Sequence, residues 1–279
     1  PRAAPAARAA AGNDRAGVPV GRVLALGNGR DDPEALLYVP RDSGAAPALA
    51  VLVHGITRNA FEHVSAFREL AERRGVVLLA PLFLPERDRG YQRLASGIDG
   101  VAADIKLLRL VDRVAELVGA ATERVFLFGF SGGAQFVHRF ALRHPERVAR
   151  LAVASAGWYT LPDEQLAFPL GLRGAGARLD EFLRLPQRVF VGDADVASDA
   201  GLNRTPEIEA AQGRTRVARA EHWVAALRAA AIERGLEPSV TLELLAGVGH
   251  SFADNARIGA LARRTFDFFF ATASQTVNR

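Results

Sequence analysis

Arg124-Val125-Phe126-Leu127-Phe128-Gly129-Phe130-Ser131-Gly132-Gly133 is the stretch on which the reading of this chain turns. It begins as a continuous apolar run, the pattern of a strand buried on both faces. It ends as Gly-x-Ser-x-Gly, and Gly132 to Arg143 then reads as a helix stopped by Pro145. Glycines two before and two after the serine let strand and helix approach closely and leave the hydroxyl at the tip of a sharp turn. A serine is a poor nucleophile unless a base and an oxyanion hole lie beside it. The following helix N-terminus also favours developing negative charge. With this much glycine, chance supplies the motif in roughly a tenth of chains this long, so its surroundings must decide.

On the N-terminal side, Val23 to Leu26 and Ala35 to Val39 read as strands parted by a Gly27-Asn28-Gly29 turn signal. Leu49 to Val53 and Val76 to Ala80 are buried strands, with a helix from Phe61 to Arg74 between them. Pro81 to Gly100 reads as a surface excursion; Arg87, Arg89, Arg93 and Tyr91 in it are expected on a solvated loop. Val101 to Val118 is an amphipathic helix with Val101, Ile105, Leu108, Val111, Val114 and Leu117 at threes and fours. On the C-terminal side, Val148 to Ala154, Arg188 to Val191 and Val240 to Leu244 complete the strands. Helices are expected over Arg216 to Arg234 and Ala253 to Phe270, the latter packing through Phe266, Phe269 and Phe270. The Gly- and Pro-rich span Leu161 to Leu185 reads as an inserted cap or rim, about 160–186. Alternating strands and helices predict an α/β fold with a mostly parallel sheet of about eight strands, helices on both faces. One catalytic domain over 18–279 is expected, after an Ala-, Arg- and Pro-rich flexible leader over 1–17 left by processing. A removed signal peptide, and hence a periplasmic or secreted location, is the accompanying expectation.

Partners for Ser131 follow in the order nucleophile, acid, histidine. Val189-Phe190-Val191-Gly192-Asp193-Ala194-Asp195 is a strand ending in an acidic turn. Asp195 is the first choice for the acid that orients an imidazole, Asp199 the alternative, and Asp193 is expected to hold the turn. His250, in Gly247-Val248-Gly249-His250-Ser251-Phe252, follows the last strand. His63, His138 and His222 fall on helices and His144 at a helix end, so packing, solvent or capping accounts for them. His54-Gly55-Ile56 follows the third strand, where an oxyanion loop belongs. The backbone amides of Ile56 and Gly132 are the expected donors, and His54 is expected to be a structural loop residue.

Composition narrows the field. The 279 residues hold 35 basic and 31 acidic side chains, a net charge of +4, and Lys106 is the only lysine. No basic run of five to eight residues exists, so no nucleic-acid partner is expected. The absence of cysteine excludes disulfides, thiolate catalysis and Cys-based zinc sites. No apolar run reaches the ~18 residues of a membrane span, and no His-rich metal-ligand spacing is present.

Several of these segments together resemble the poly(3-hydroxybutyrate) depolymerase-like esterases, including bacterial lipoprotein-type members. They are His54-Gly55 with Arg58-Asn59-Ala60, Gly129 through Arg139, Gly157-Trp158-Tyr159-Thr160-Leu161-Pro162, Gly192-Asp193-Ala194-Asp195 and Gly249-His250. The resemblance runs from about Val20 to the C-terminal helix. It implies an α/β-hydrolase fold, a triad of Ser131, Asp195 and His250, ester substrates and no cofactor. Polymer-degrading secreted members usually carry disulfides and a polymer-binding module; with no cysteine here, small-molecule or oligomeric esters are the expected substrates. Trp158 and Tyr159 are expected either to line the substrate pocket or to anchor the inserted segment. Phe61, Phe130 and Phe252 are expected to add apolar wall. Acyl transfer or peptide cleavage on the same triad, and a non-catalytic binding scaffold, are the competing readings; the oligomeric state is not legible.

Overall fold

The computed structural model describes residues 17–27, 33–199 and 201–271. The leader over 1–17, apart from Gly17, and most of the Gly27-Asn28-Gly29 turn lie outside those residues. The strands are β1 (Val23–Gly27), β2 (Pro33–Tyr38), β3 (Ala48–Val53), β4 (Val77–Pro81), β5 (Ala121–Phe130), β6 (Val148–Ala154), β7 (Gln187–Gly192) and β8 (Val240–Leu245). The helices are α1 (Ala60–Arg74), α2 (Ala103–Val118), α3 (Gly132–Arg143), α4 (Leu179–Arg184), α5 (Pro206–Gln212), α6 (Arg216–Glu233), α7 (Phe252–Arg257) and α8 (Leu261–Phe269). The strands form one sheet in the order β1-β2-β4-β3-β5-β6-β7-β8. β1, β2 and β4 pair antiparallel; every pairing from β4 through β3 to β8 is parallel. The expected mostly parallel, eight-stranded sheet is the one found.

Both faces of the sheet are covered, which explains why its central strands read as unbroken apolar runs. In β3, Leu49, Val51 and Val53 point into one core, with Leu107, Val111 and Val114 of α2, Phe136 and Phe140 of α3 and Trp223 of α6. Ala50 and Leu52 point into the other, with Val64 and Phe67 of α1 and Leu261, Phe266 and Phe269 of α8. The period-2 pleat thus divides a single apolar run between two cores. Parallel strands joined by crossover helices bring the C-terminal ends of β3, β5, β6, β7 and β8 to one edge. The loops at that edge carry His54, Ser131, Asp195 and His250.

Three expectations need correction. The last helix is two pieces, α7 and α8, broken where Ala260 adopts φ 51°. The buried face of α2 is set by Leu107, Leu110, Val111, Val114 and Val118, while Ile105 is exposed. The Pro81 to Gly100 segment is not a simple surface excursion, since Phe83, Tyr91 and Leu94 are buried. The span Leu161 to Leu185, expected as an inserted cap or rim, contains α4 and contributes Leu161, Leu170, Leu172, Phe182 and Leu183 to the buried residues. Among the described residues no helix is long and apolar enough to cross a membrane.

Candidate active site

β5 delivers Ser131 to the sheet edge with φ 54° and ψ −113°. A non-glycine residue with positive φ is strained, and the surroundings must hold it there. The Ser131 amide donates to the Ala154 carbonyl of β6 at 2.8 Å, tying the turn to the neighbouring strand. The flanking glycines are obligatory for close approach. A Cβ on Gly129 would stand 2.3 Å from the Gly133 carbonyl oxygen, and one on Gly133 would stand 2.0 Å from that of Val53.

The hydroxyl meets its expected neighbours. His250 Nε2 lies 3.0 Å from Ser131 Oγ, and His250 Nδ1 lies 2.8 Å from Asp195 Oδ2. With Nδ1–H donating to the carboxylate, Nε2 is free to accept from the serine hydroxyl. Asp195 is buried and His250 partly exposed. The loops that carry them are interlocked. The Asp193 amide donates to the Leu245 carbonyl and the Ala194 amide to that of Val248, and a Cβ on Gly192 would fall 2.0 Å from the Val248 oxygen. Asn255 Nδ2 donates to the carbonyls of Gly249 and Ser251, at 2.8 and 2.7 Å, fixing the histidine loop from α7. The Phe130 ring stacks against His250 at 5.4 Å. Asp193 Oδ1 accepts from the Gly247 amide, so it holds the turn as its position suggested.

Asp199, the alternative acid, lies in the same cluster but without a hydrogen bond to the histidine. Arg216 Nη1 donates to Asp195 Oδ1 at 3.2 Å and to Asp199 Oδ2 at 2.6 Å, and Nη2 donates to Asp199 Oδ1 at 2.9 Å. The hydrogen bonds from Arg216 hold the Asp199 carboxyl down to about 2.

The loop after β3 is organised around one peptide group. The Gly55 carbonyl accepts from His54 Nδ1 at 2.8 Å and from the Arg58 amide at 3.1 Å. In a planar trans peptide the Ile56 N–H points opposite to that carbonyl. Those two donors therefore set the direction of the Ile56 amide. A Cβ on Gly132 would stand 3.3 Å from the Ile56 nitrogen, so the two expected oxyanion amides are neighbours. As the first residue of α3, Gly132 has no intrahelical acceptor for its N–H. Burial pushes the His54 imidazole down to about 4, and its Nε2 accepts from the Phe83 amide at 3.0 Å. His54 is thus a neutral structural residue. Arg58, at φ 59°, reaches the Phe83 carbonyl through Nε at 2.7 Å and the Ile56 carbonyl through Nη1 at 2.6 Å. The Tyr91 hydroxyl donates to the His54 carbonyl at 2.9 Å. The segment read as an excursion is the buttress of this loop.

A cleft of about 480 Å³ opens over Ser131, lined by Gly55, Ile56, Thr57, Phe130, His250, Phe252 and their neighbours. Among the described residues its charged lining is Glu62 and Asp199, and no arginine or lysine lines it. Phe130 and Phe252 are among its lining residues. Phe61 is 63% exposed and lies outside the lining, because the first turn of α1 aims it at solvent. Trp158 and Tyr159 do not line it either. Tyr159 is fully buried, stacks on Trp223 at 4.5 Å and exchanges backbone hydrogen bonds with the Gln212 side chain. Trp158 packs with Leu170 and Ile208 and lies over the Arg139 guanidinium at 4.2 Å. Trp158 thus packs on the inserted segment, and Tyr159 belongs to the main core. Among the described residues no group of three or more His, Asp or Glu side chains is placed to hold a metal ion.

Arg58, Arg216, Asn255 and Tyr91 are the contributors that sequence reasoning did not assign. Each acts on the site through another residue; Arg58 stands in a stretch quoted for the family resemblance, and the other three carry no local motif.

No protein-family model matches the chain, and a sequence search of curated proteins finds no match. Solved structures do match. The structure of poly(aspartic acid) hydrolase-1 from Sphingomonas sp. KT-1 is similar with a TM-score of 0.75 at 25% identity, over 88% of this chain and 98% of that one. That of LpqC, a poly(3-hydroxybutyrate) depolymerase from Bordetella parapertussis, gives 0.74 at 27% identity, over 91% and 92%. FphF, a fluorophosphonate-binding serine hydrolase of Staphylococcus aureus, shares the fold at a TM-score of 0.59 and 12% identity, over 90% and 99%. The neighbours are hydrolases, esterases among them.

Proposed function

Starting from the fold these neighbours share, which makes the chain an α/β-hydrolase, we propose that it is a serine esterase that cleaves carboxylic esters through an acyl-enzyme. The observation that carries this reading is the unbroken hydrogen-bonded line from Ser131 through His250 to buried Asp195, opening onto a cleft.

Ser131 Oγ attacks the ester carbonyl as His250 Nε2 takes its proton. Asp195 keeps the imidazole in the required tautomer and stabilises the imidazolium. The Ile56 and Gly132 amides receive the tetrahedral oxyanion, a role worth about 3 kcal/mol per donor when the geometry is preorganised. His250 then protonates the departing alcohol. Water, deprotonated by the same imidazole, attacks the acyl-Ser131 ester and releases the acid.

A cleft of this size suits a small ester or the end of an oligomer. The neighbour of Sphingomonas is named for a polyanion, but the carboxylates of Glu62 and Asp199, with no lining arginine or lysine among the described residues, disfavour one here. The resemblance to the Bordetella depolymerase makes hydroxyalkanoate-type esters the leading candidates. A panel of p-nitrophenyl esters, soluble hydroxybutyrate oligomers, polyester film and poly(aspartic acid) tests this. Turnover of the neutral soluble esters, lost in Ser131→Ala, is expected; preference for poly(aspartic acid) would overturn the substrate assignment.

A further inference from the structure

Asp195 shares its guanidinium. Its Oδ2 faces His250 and its Oδ1 faces Arg216, and both the Asp195 and Arg216 side chains are about 1% exposed. A buried cation beside the acid weakens that acid's hold on an imidazolium. Arg216, however, binds Asp199 through two nitrogens, and more closely than it binds Asp195. Asp199 is itself fixed by the Gly201 amide, which donates to Oδ1 at 2.8 Å, and it lines the cleft. The three charges in line, carboxylate, guanidinium and carboxylate, sum to one negative charge next to His250.

We infer that Arg216 and Asp199 are positioning residues of this site: Arg216 locks the Asp195 carboxylate in place, and Asp199 cancels the positive charge that this lock brings to the histidine. The inference rests on the reading of Ser131, His250 and Asp195 as a hydrolytic triad. It explains why a second carboxylate stands at the rim without contacting the imidazole. The field of His250 also reaches it and favours its ionised form.

The remaining groups around His250 do not substitute for this pair. Ser131 and the Phe130 ring face it from β5. Asp193 is turned to the Gly247 amide, and Asp254 on α7 faces Arg257 at 3.5 Å. Glu62 lines the cleft from α1 and accepts from Asn59. Behind Asp195, the Tyr159 phenol is kept neutral by burial, and Arg219 is spent on the carbonyls of Gly157, Asn203 and Gly213.

Two substitutions separate charge compensation from simple packing, because they act with opposite sign. Asp199→Asn leaves the guanidinium uncompensated, so the His250 titration midpoint falls by about half a unit or more. Arg216→Met leaves two carboxylates, so the midpoint rises by a similar amount. Histidine-selective ¹⁵N NMR of the whole chain reads both without substrate, and Asp199→Glu should restore the wild-type midpoint. In the proposed reaction, Asp199→Asn should lower kcat on p-nitrophenyl butyrate by roughly 3- to 10-fold with KM little changed. If Arg216→Met does not fold, Asp199→Asn alone decides. A midpoint within about 0.1 unit of wild type in Asp199→Asn, or movement of both variants in one direction, overturns the inference. Failure of the wild-type chain to hydrolyse any ester would strike the proposed function instead, since the NMR readout does not depend on turnover.

Discussion

Gly133 faces the Val53 carbonyl so closely that a methyl group on its α-carbon would stand 2.0 Å from the oxygen. The start of α3 and the end of β3 can meet only because that methyl group is missing. This approach sets the Ser131 turn beside the loop that offers the Ile56 amide. Gly133→Ala is therefore expected to cost about 1–3 kcal/mol by urea unfolding and to abolish ester turnover in the folded fraction. Gly44→Ala, where a Cβ meets nothing within 4 Å, is the control and should stay within about 0.5 kcal/mol of wild type. Equal stability and activity in both variants would contradict the packing argument.

Arg58 clamps the oxyanion loop from outside the cleft lining, through the carbonyls of Phe83 and Ile56. Its removal frees the Ile56 carbonyl from Phe83, while the backbone amide at 58 and His54 still hold the Gly55 carbonyl, and the serine and the histidine are untouched. Arg58→Ala should lower kcat by about 10-fold, less than the ~100-fold or more of a whole oxyanion donor because the Ile56 amide keeps its own peptide anchors, with a smaller change in KM. Steady-state kinetics on p-nitrophenyl butyrate check it; an unchanged kcat would remove Arg58 from the account.

Acid should unfold this chain by way of its buried histidines. Burial pushes the His54 and His63 imidazoles down to about 4 and about 3, and holds His138 well below the usual 6.5. In the unfolded chain each takes up a proton near pH 6.5. Below that pH the unfolded state binds protons that the folded state refuses, so stability falls as pH drops from 6.5 towards 4 and is complete above 6.5. Three such groups give a slope of at most roughly 4 kcal/mol per pH unit. Urea midpoints measured between pH 7.5 and 5 should fall steeply; a flat profile would be inconsistent with neutral buried rings.

His63 offers a way to dissect that slope. Its ring lies 3.9 Å from that of Phe252 and neither nitrogen has a hydrogen-bond partner. His63→Phe keeps the ring packing and removes both a buried unsatisfied polar group and one titrating site. We expect a gain of about 1 kcal/mol or more at pH 7, larger at pH 5. A loss at both pH values would show that the polar nitrogens contribute to stability.

The sequence made the sheet edge legible because each of Ser131, Asp195 and His250 follows an apolar run that the two-sided sheet requires. The same logic placed Ile56 after β3 and Asp193 in its turn. It could not place Arg216, since its partners sit 21 and 17 positions away across a loop and no spacing rule picks one arginine among so many. Tyr91 was hidden for a related reason: a polar, Arg-rich segment gives no sign that it packs inward, and Arg58 stands in a quoted stretch that does not show its reach to the Phe83 carbonyl. Trp158 and Tyr159 sit near the right edge, but the Trp158 ring is claimed by Arg139, the Tyr159 ring by Trp223 and the Tyr159 backbone by Gln212, partners set by tertiary packing alone. The break between α7 and α8 arises at Ala260, whose left-handed backbone the helical spacing does not reveal.

The central claim is that Ser131 is the nucleophile, and covalent labelling tests it most directly. The chain is treated with a serine-directed fluorophosphonate, digested, and the adduct located by tandem mass spectrometry. The account predicts one adduct, on the peptide that carries Gly129 through Gly133, at Ser131, in step with loss of p-nitrophenyl butyrate turnover, and no adduct in Ser131→Ala. Labelling at another residue, or turnover retained in Ser131→Ala, would contradict it.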